Sequence, residues 1–221
     1  RHQVKPSSPQ DVIRHEKRYL DLEISLKKLT SLWGFVVGAY GCINSFRTRL
    51  YRPLGKRPLH DDVIIPLSIT AQGYKFLFEE RAKTWESVPS NFSAEFKRRK
   101  RMAALNLSTL FPMLKLSYAS GIKVLITAIF YKVFRWASPF LILGMLVGSL
   151  GGSFDFLFFR RVAGVLWGLV FLSLSGGLLL RWGIQLPILS SLYYFASMNL
   201  AQLLGFFEGL KGAPATWETR S

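Results

Sequence analysis

Three stretches in the second half of this chain contain no Asp, Glu, Lys or Arg: 136–154, 162–180 and 182–207. They hold 19, 19 and 26 residues. A helix needs about 20 mostly apolar residues to cross a bilayer, so each stretch is long enough. Charges mark the short gaps between them, first Asp155, Arg160 and Arg161, then Arg181. Packing all three as the core helices of a water-soluble domain would leave almost no polar face for solvent. The pattern therefore predicts about three membrane spans, near 136–154, 162–180 and 184–207.

The rest of the chain is basic. Among its 221 residues, 29 Lys and Arg stand against 13 Asp and Glu, a net charge of +16. A sequence pI near 10.3 would by itself suggest a nucleic-acid partner. Half the residues are hydrophobic, however, which favours a lipid bilayer as the partner and argues against nucleic acid. The same apolar content excludes a disordered basic tail. Cys42 is the single cysteine and cannot form a disulfide within the chain. Residues 1–121 carry 21 basic and 10 acidic side chains, a balance of +11, and the positive-inside tendency places this part in the cytosol. The side reached by the C-terminal tail stays open.

Residues 1–10 read as a loop around Pro6, Ser7, Ser8 and Pro9. Asp11 starts a helix to about Ser31, with Leu22, Leu26, Leu29 and Trp33 at helical spacing. Gly34, Gly38 and Gly41 then allow a close backbone approach to a neighbour or a ligand. Cys42–Phe46 and Tyr74–Phe78 are short strand candidates. Between them, Asp62 suits an N-cap, Pro66 a first turn and Gly73 the C′ position, which predicts a helix over 63–72. A basic amphipathic helix, capped by Asn91, should occupy 90–118. In the mixed segment 120–135, Lys123, Lys132 and Arg135 suit a helix at the lipid interface.

Tyr19 to Arg47, LHDDVIIPLSITAQGYKFLFEERAKTWE, and FKRRKRMAALNLSTL follow one another in the order found in the C-terminal half of membrane-bound family 2 glycosyltransferases, the exopolysaccharide-synthase type. FYKVFRWASPF and the ending from Met198 to Arg220 resemble that family's anchor and tail. The resemblance implies an α/β fold class. Residues 1–118 would be the cytosolic acceptor half of a GT-A-like domain, 119–210 an all-α transmembrane region, and 211–221 a tail. It implies an inverting transfer from a nucleotide-sugar donor to a glycan or lipid-linked acceptor, on the bacterial cytoplasmic membrane. A divalent metal, Mg or Mn, would serve the full-length enzyme from a site upstream of Arg1. The chain would then be about half of a longer enzyme, inactive alone.

Asp61 and Asp62 are the acidic pair at the family's catalytic position, and Asp62 maps onto the base. An inverting transfer needs one carboxylate to take the acceptor hydroxyl's proton. Read from local sequence alone, Asp62 is an ordinary helix cap. Arg98 and Arg101 match the family's Arg-x-x-Arg, although Met102 stands where the family has Trp. At i, i+3 spacing they can share a helix face and bind a departing diphosphate. The same run, Lys97 to Arg101, also suits anionic lipid. Asp21-Leu22-Glu23 is the nearest match to a metal-binding Asp-x-Asp, but its mid-helix setting reads as a solvated face. Glu86 and Trp85 resemble an acidic position of the family, and a solvated Glu is the simpler reading. The alternative for the whole chain is a non-catalytic, membrane-anchored basic scaffold in polysaccharide assembly.

Overall fold

The computed structural model describes residues 2–5, 10–55, 58–87, 92–152 and 157–212. The expected loop at Pro6–Pro9, the cap at Asn91, the gap charge Asp155 and the tail from 213 onward lie outside these, as do the side chains of Trp85 and Glu86. Strand β1 (His2–Lys5) leads into α1 (Gln10–Leu32), a loop, and α2 (Asp61–Ala71). Strand β2 (Thr84–Ser87) precedes the long α3 (Phe92–Ala119). Helix α4 (Ile122–Ala128) passes through a π turn (Ile129–Val133) into α5 (Phe134–Gly152), followed by α6 (Leu157–Arg181) and α7 (Pro187–Leu210).

Three quarters of the described residues are helical, and the architecture is all-α. Among the described residues the sheet structure amounts to one parallel pair, β1 beside β2, in register from His2 opposite Thr84 to Lys5 opposite Ser87. This overturns the expected α/β, GT-A-like half. The two strand candidates explain the error. Residues 42–46 form turn and coil around a single Tyr40–Ile43 bridge. Residues 74–78 run extended without a ladder: the Phe76 N–H donates to the Gly34 carbonyl and the Phe78 N–H to Ser31 Oγ. Apolar runs of this length become strands only when a neighbouring strand takes their backbone groups. Here the end of α1 takes them.

Helix α2 begins at Asp61, two residues earlier than the expected start. His60 is its N-cap, and Asp61 Oδ1 accepts from the Asp62 N–H at 2.9 Å. Gly73 ends the helix with a φ of +85°, the left-handed geometry that favours glycine. Val63, Ile64 and Leu67 of α2 pack with Phe35 and Val37, with Met113 of α3, and with Val124 and Ala128 of α4. Fully burying a side chain such as Leu67 contributes roughly 1.5–3 kcal/mol. This core fixes the residues just beyond it, Asp62 at one edge and Lys132 one turn after Ala128 at another.

Helix α1 buries a different face from the one its leucines mark. Leu20, Ile24, Lys27 and Thr30 are buried, whereas Leu22, Leu29 and Trp33 are exposed. The polar face is turned inward because charged partners wait there.

Among the described residues, two helices are long and apolar enough to cross a membrane, the continuous Ile122–Gly151 and Leu157–Arg181. Their large apolar side chains, among them Val147, Phe158, Phe171 and Leu174, are exposed. The third charge-free stretch forms α7, which makes its most extensive contact with α3. Small residues permit that contact. Ala201 is fully buried, a Cβ at Gly205 would collide with the Lys100 carbonyl, and one at Gly209 would come within 2.6 Å of the Ala104 carbonyl. The four-residue spacing of small side chains lets two helix backbones approach closely. An ion pair between Lys100 and Glu208 closes the end of this seam. Gly205→Ala should therefore destabilise the fold by about 1–3 kcal/mol, the usual cost of overpacking. Thermal unfolding in detergent checks this, with Gly148→Ala, whose added Cβ meets nothing within 4 Å, as the unaffected control.

Candidate functional site

A cavity of about 240 Å³ lies where α1, the 39–41 loop, the start of α2, α3 and the π turn meet. Two carboxylates line it, Glu23 and Asp62, together with five cations, Lys27, Arg98, Arg99, Lys132 and Arg135. His60, Asn106 and Trp136 complete its polar and aromatic wall. The cations form two groups. Arg98 and Arg99 share Glu95, whose side chain is 3% exposed: Arg98 Nε and Nη2 donate to it at 2.6 and 2.8 Å, and Arg99 Nε at 2.8 Å. Burial works to raise the Glu95 carboxyl, but the two guanidinium groups outweigh it and hold the acid below its ordinary range.

The second group surrounds Glu23. Lys27 Nζ lies 3.6 Å from Glu23 Oε1 and 3.4 Å from the centre of the Tyr40 ring. Tyr131 donates its hydroxyl to Glu23 Oε1 at 2.6 Å. Burial would raise the Glu23 carboxyl, and Lys27, Lys132, Tyr131 and Arg135 together hold it below the ordinary carboxylate value. Lys27 is pushed down from its ordinary value by burial, which Glu23 and Asp62 offset only in part. On the far side, Gln202 Nε2 of α7 donates to the carbonyls of Arg135 and Trp136 at 2.9 and 2.8 Å. That satisfies backbone groups beside the π turn, where the regular helical ladder is interrupted.

His60 links the cavity to α3. Its N–H donates to Thr109 Oγ1 at 3.0 Å, and its ring stacks on Trp136 with centroids 6.0 Å apart. A carbonyl can only accept, so Nε2 carries the proton given to the Met102 carbonyl at 3.1 Å and to Asn106 Oδ1 at 2.9 Å. Nδ1 then faces Asp62 Oδ1 at 3.9 Å. Burial lowers the imidazole's pKa from its ordinary value, and Lys132 adds to that, against the opposing pull of Asp62 and the two hydrogen bonds.

Asp62, the expected base, thus sits in the cavity with its carboxylate partly open, and Arg98 lines the same space. Asp61 is exposed and serves the helix start. Arg101 is not among the lining residues. At about 100° per residue, the α3 face formed by 98, 99, 102, 103 and 106 is centred near Arg99 and Met102, which turns Arg101 about 140° away. Arg99 takes the place that spacing alone assigned to Arg101. Gly41 lines the cavity, and Gly38 leaves room for Lys132, whose Nζ lies 3.0 Å from where a Cβ would stand.

The Asp21–Glu23 pair does not fit a metal ion. Asp21 is exposed, and Glu23 is committed to Lys27 and Tyr131. Among the described residues no three His, Cys, Asp or Glu side chains converge. Glu23 nonetheless corrects the expectation of a solvated face, because it is one of the most heavily engaged acids in the site. The sequence places none of Glu23, Glu95, Lys27, Lys132 and Arg135 in this site: Glu23 reads as part of a solvated face, and Lys132 and Arg135 as cations at a lipid interface. The one available signal was the recurrence of charge on an otherwise apolar stretch at Lys132 and Arg135.

No known family model matches the chain, and neither curated proteins nor solved structures provide a match.

The buried imidazole generates a prediction with a defined sign. Its folded pKa lies below the ordinary value of about 6.5, so between the two the unfolded chain binds more protons and stability rises with pH. The contribution is complete above about pH 6.5 and is lost as the pH falls toward the folded value. Glu23 and Glu95, held low, lose their contribution only in more acid solution, below about 4.5. The melting temperature should fall between pH 7 and pH 5, and His60→Gln should flatten that slope.

Proposed function

We propose that the chain is the acceptor-side, membrane-anchored portion of an inverting glycosyltransferase. The observation that carries this reading is the shared cavity, in which the Asp62 carboxylate stands among five cations. Asp62 takes the proton from an acceptor hydroxyl as that oxygen attacks the anomeric carbon of a nucleotide-sugar. The bond from that carbon to the diphosphate breaks, and the leaving group carries away the electron pair. Arg98 and Arg99, fixed by Glu95, present guanidinium groups suited to the charge that builds on the diphosphate. His60 stands behind Asp62, held by Thr109, Met102 and Asn106, and restricts where that carboxylate can turn.

A purely structural role accounts poorly for this arrangement. Removing two carboxylates and several cations from water costs several kcal/mol per ion before pairing returns any of it. Perturbed titratable groups gathered around a cavity mark functional sites more often than scaffolds. The membrane reading extends the same proposal. Ile122–Gly151 and Leu157–Arg181 span the bacterial cytoplasmic membrane, and the basic half lies on its cytosolic side. A glycan or lipid-linked acceptor then meets the donor at the membrane surface.

The test uses membranes from cells producing the whole gene product. Asp62→Asn should lower sugar transfer by about 10²-fold or more while leaving membrane insertion intact. Transfer at the wild-type rate would remove the assignment. Arg99→Ala should reduce transfer more than Arg101→Ala, because Arg99 lines the cavity.

A further inference from the structure

Lys132 is a deeply buried cation of the cavity. It is 5% exposed, yet its ammonium makes no hydrogen bond or ion pair with any described side chain or backbone group. Its one ring contact is distant, with Nζ 5.2 Å from the centre of the Tyr131 ring. A buried ammonium without a bonded anion is costly; Asp62 and Glu23 act on it only from beyond ion-pair distance, and a bound anion would supply the direct contact. Two local features hold it there. The π turn directs Lys132 to the same wall as Arg135 and Trp136, and Gly38 leaves the space its head occupies. π turns inside helices recur at functional sites.

Its position also selects the ligand. Lys132 belongs to the apolar helix Ile122–Gly151 and lies about 6 Å along the axis from Trp136, where the charge-free stretch begins. Arg98 and Arg99 approach the cavity from α3, which precedes the first candidate span. The cavity therefore has one cationic wall built by the basic helix and another built by the helix that enters the apolar region. We infer that Lys132, with Arg135 beside it, is a phosphate subsite for a lipid-linked acceptor, an apolar chain whose phosphate carries the sugar to be extended. This deepens the transferase reading and rests on it. The phosphate sits on Lys132 while a sugar hydroxyl reaches Asp62. That hydroxyl gives its proton to Asp62, its oxygen bonds to the donor's anomeric carbon, and the nucleoside diphosphate leaves with the electron pair.

The probe is farnesyl phosphate, with binding measured to the full-length protein in nanodiscs of neutral lipid. Farnesol and inorganic phosphate are the two control ligands. Farnesyl phosphate should bind saturably, farnesol at least tenfold more weakly, and inorganic phosphate more weakly again. Lys132→Met should weaken farnesyl phosphate binding about tenfold or more, the worth of one charge-assisted contact. Lys132→Arg should retain most of the binding, and Gly38→Ala, which crowds Nζ, should lose part of it. Unchanged affinity in Lys132→Met overturns the subsite. So does equal binding of farnesol, or inorganic phosphate binding as tightly as the lipid, which would identify a soluble phosphate as the ligand. Asp62→Asn keeps the two claims separate. Lys132-dependent binding together with full transfer by Asp62→Asn would sink the transferase reading and leave the subsite standing. Abolished transfer with Lys132-independent binding would do the reverse.

Discussion

The arrangement depends on mutual compensation among charges withdrawn from water. Glu95 holds Arg98 and Arg99, and Glu23 holds Lys27 and receives the Tyr131 hydroxyl. Glu95 and Glu23 are kept ionised by their neighbouring cations, and Arg98, Arg99 and Lys27 are held near their places by these carboxylates. Elements far apart in sequence are tied together this way, since Glu23 on α1 and Tyr131 in the π turn are separated by 108 residues. The apolar core sets which elements meet, and polar contacts add direction to it. The Tyr131–Glu23 hydrogen bond joins the π turn to α1, whereas the Glu95 pairs lie within α3 and hold Arg98 and Arg99 in place on that helix.

This constraint explains the burial pattern of α1. The leucines at 22, 26 and 29 form a continuous apolar stripe, and a helix packing by apolar burial alone would turn that stripe inward. Instead Glu23 and Lys27 face inward and Leu22 and Leu29 are exposed. Packing along α3 follows a second rule, in which small residues decide. Ala201, Gly205 and Gly209 bring α7 against Lys100, Ala103 and Ala104, and α7 in turn carries Gln202 to the carbonyls beside the π turn.

Local chemistry made several features readable from the sequence. Gly73 marks the end of α2 because few other residues adopt its φ, and the Asp61-Asp62 pair marks the start because acids suit a helix N-terminus. The charge-free stretches at 136–154 and 162–180 marked helices long and apolar enough to cross a membrane. Asp62 and Arg98 were legible as candidates, and both line the cavity. The misses share a physical cause. Hydrophobic periodicity assumes that buried faces are apolar, so it hid Glu23, Lys27 and Glu95. Strict i, i+3 spacing identified Arg98 and Arg101 as neighbours, but the centre of the packed face, set by tertiary contacts, selected Arg98 and Arg99. The expected sheet failed because strand propensity is realised only with a partner, and the end of α1 took the hydrogen bonds of residues 76 and 78 instead.

Lys132 is the instructive case, because no residue-level preference distinguishes a snorkelling lysine from a ligand-binding one. Both sit near the end of an apolar helix, and both interrupt an otherwise greasy run. The difference lies in direction. A snorkelling lysine runs its stem along the helix to reach water or headgroups. Lys132 turns inward, into space that Gly38 leaves open, behind a π turn that a 3.6-residue period does not encode. A helix entering an apolar medium places its cations where they can be neutralised. Here the inward turn places the head of Lys132 at the cavity, within electrostatic range of Asp62. The helix Ile122–Gly151, long and apolar enough to cross a membrane, is thus also part of the cavity's wall.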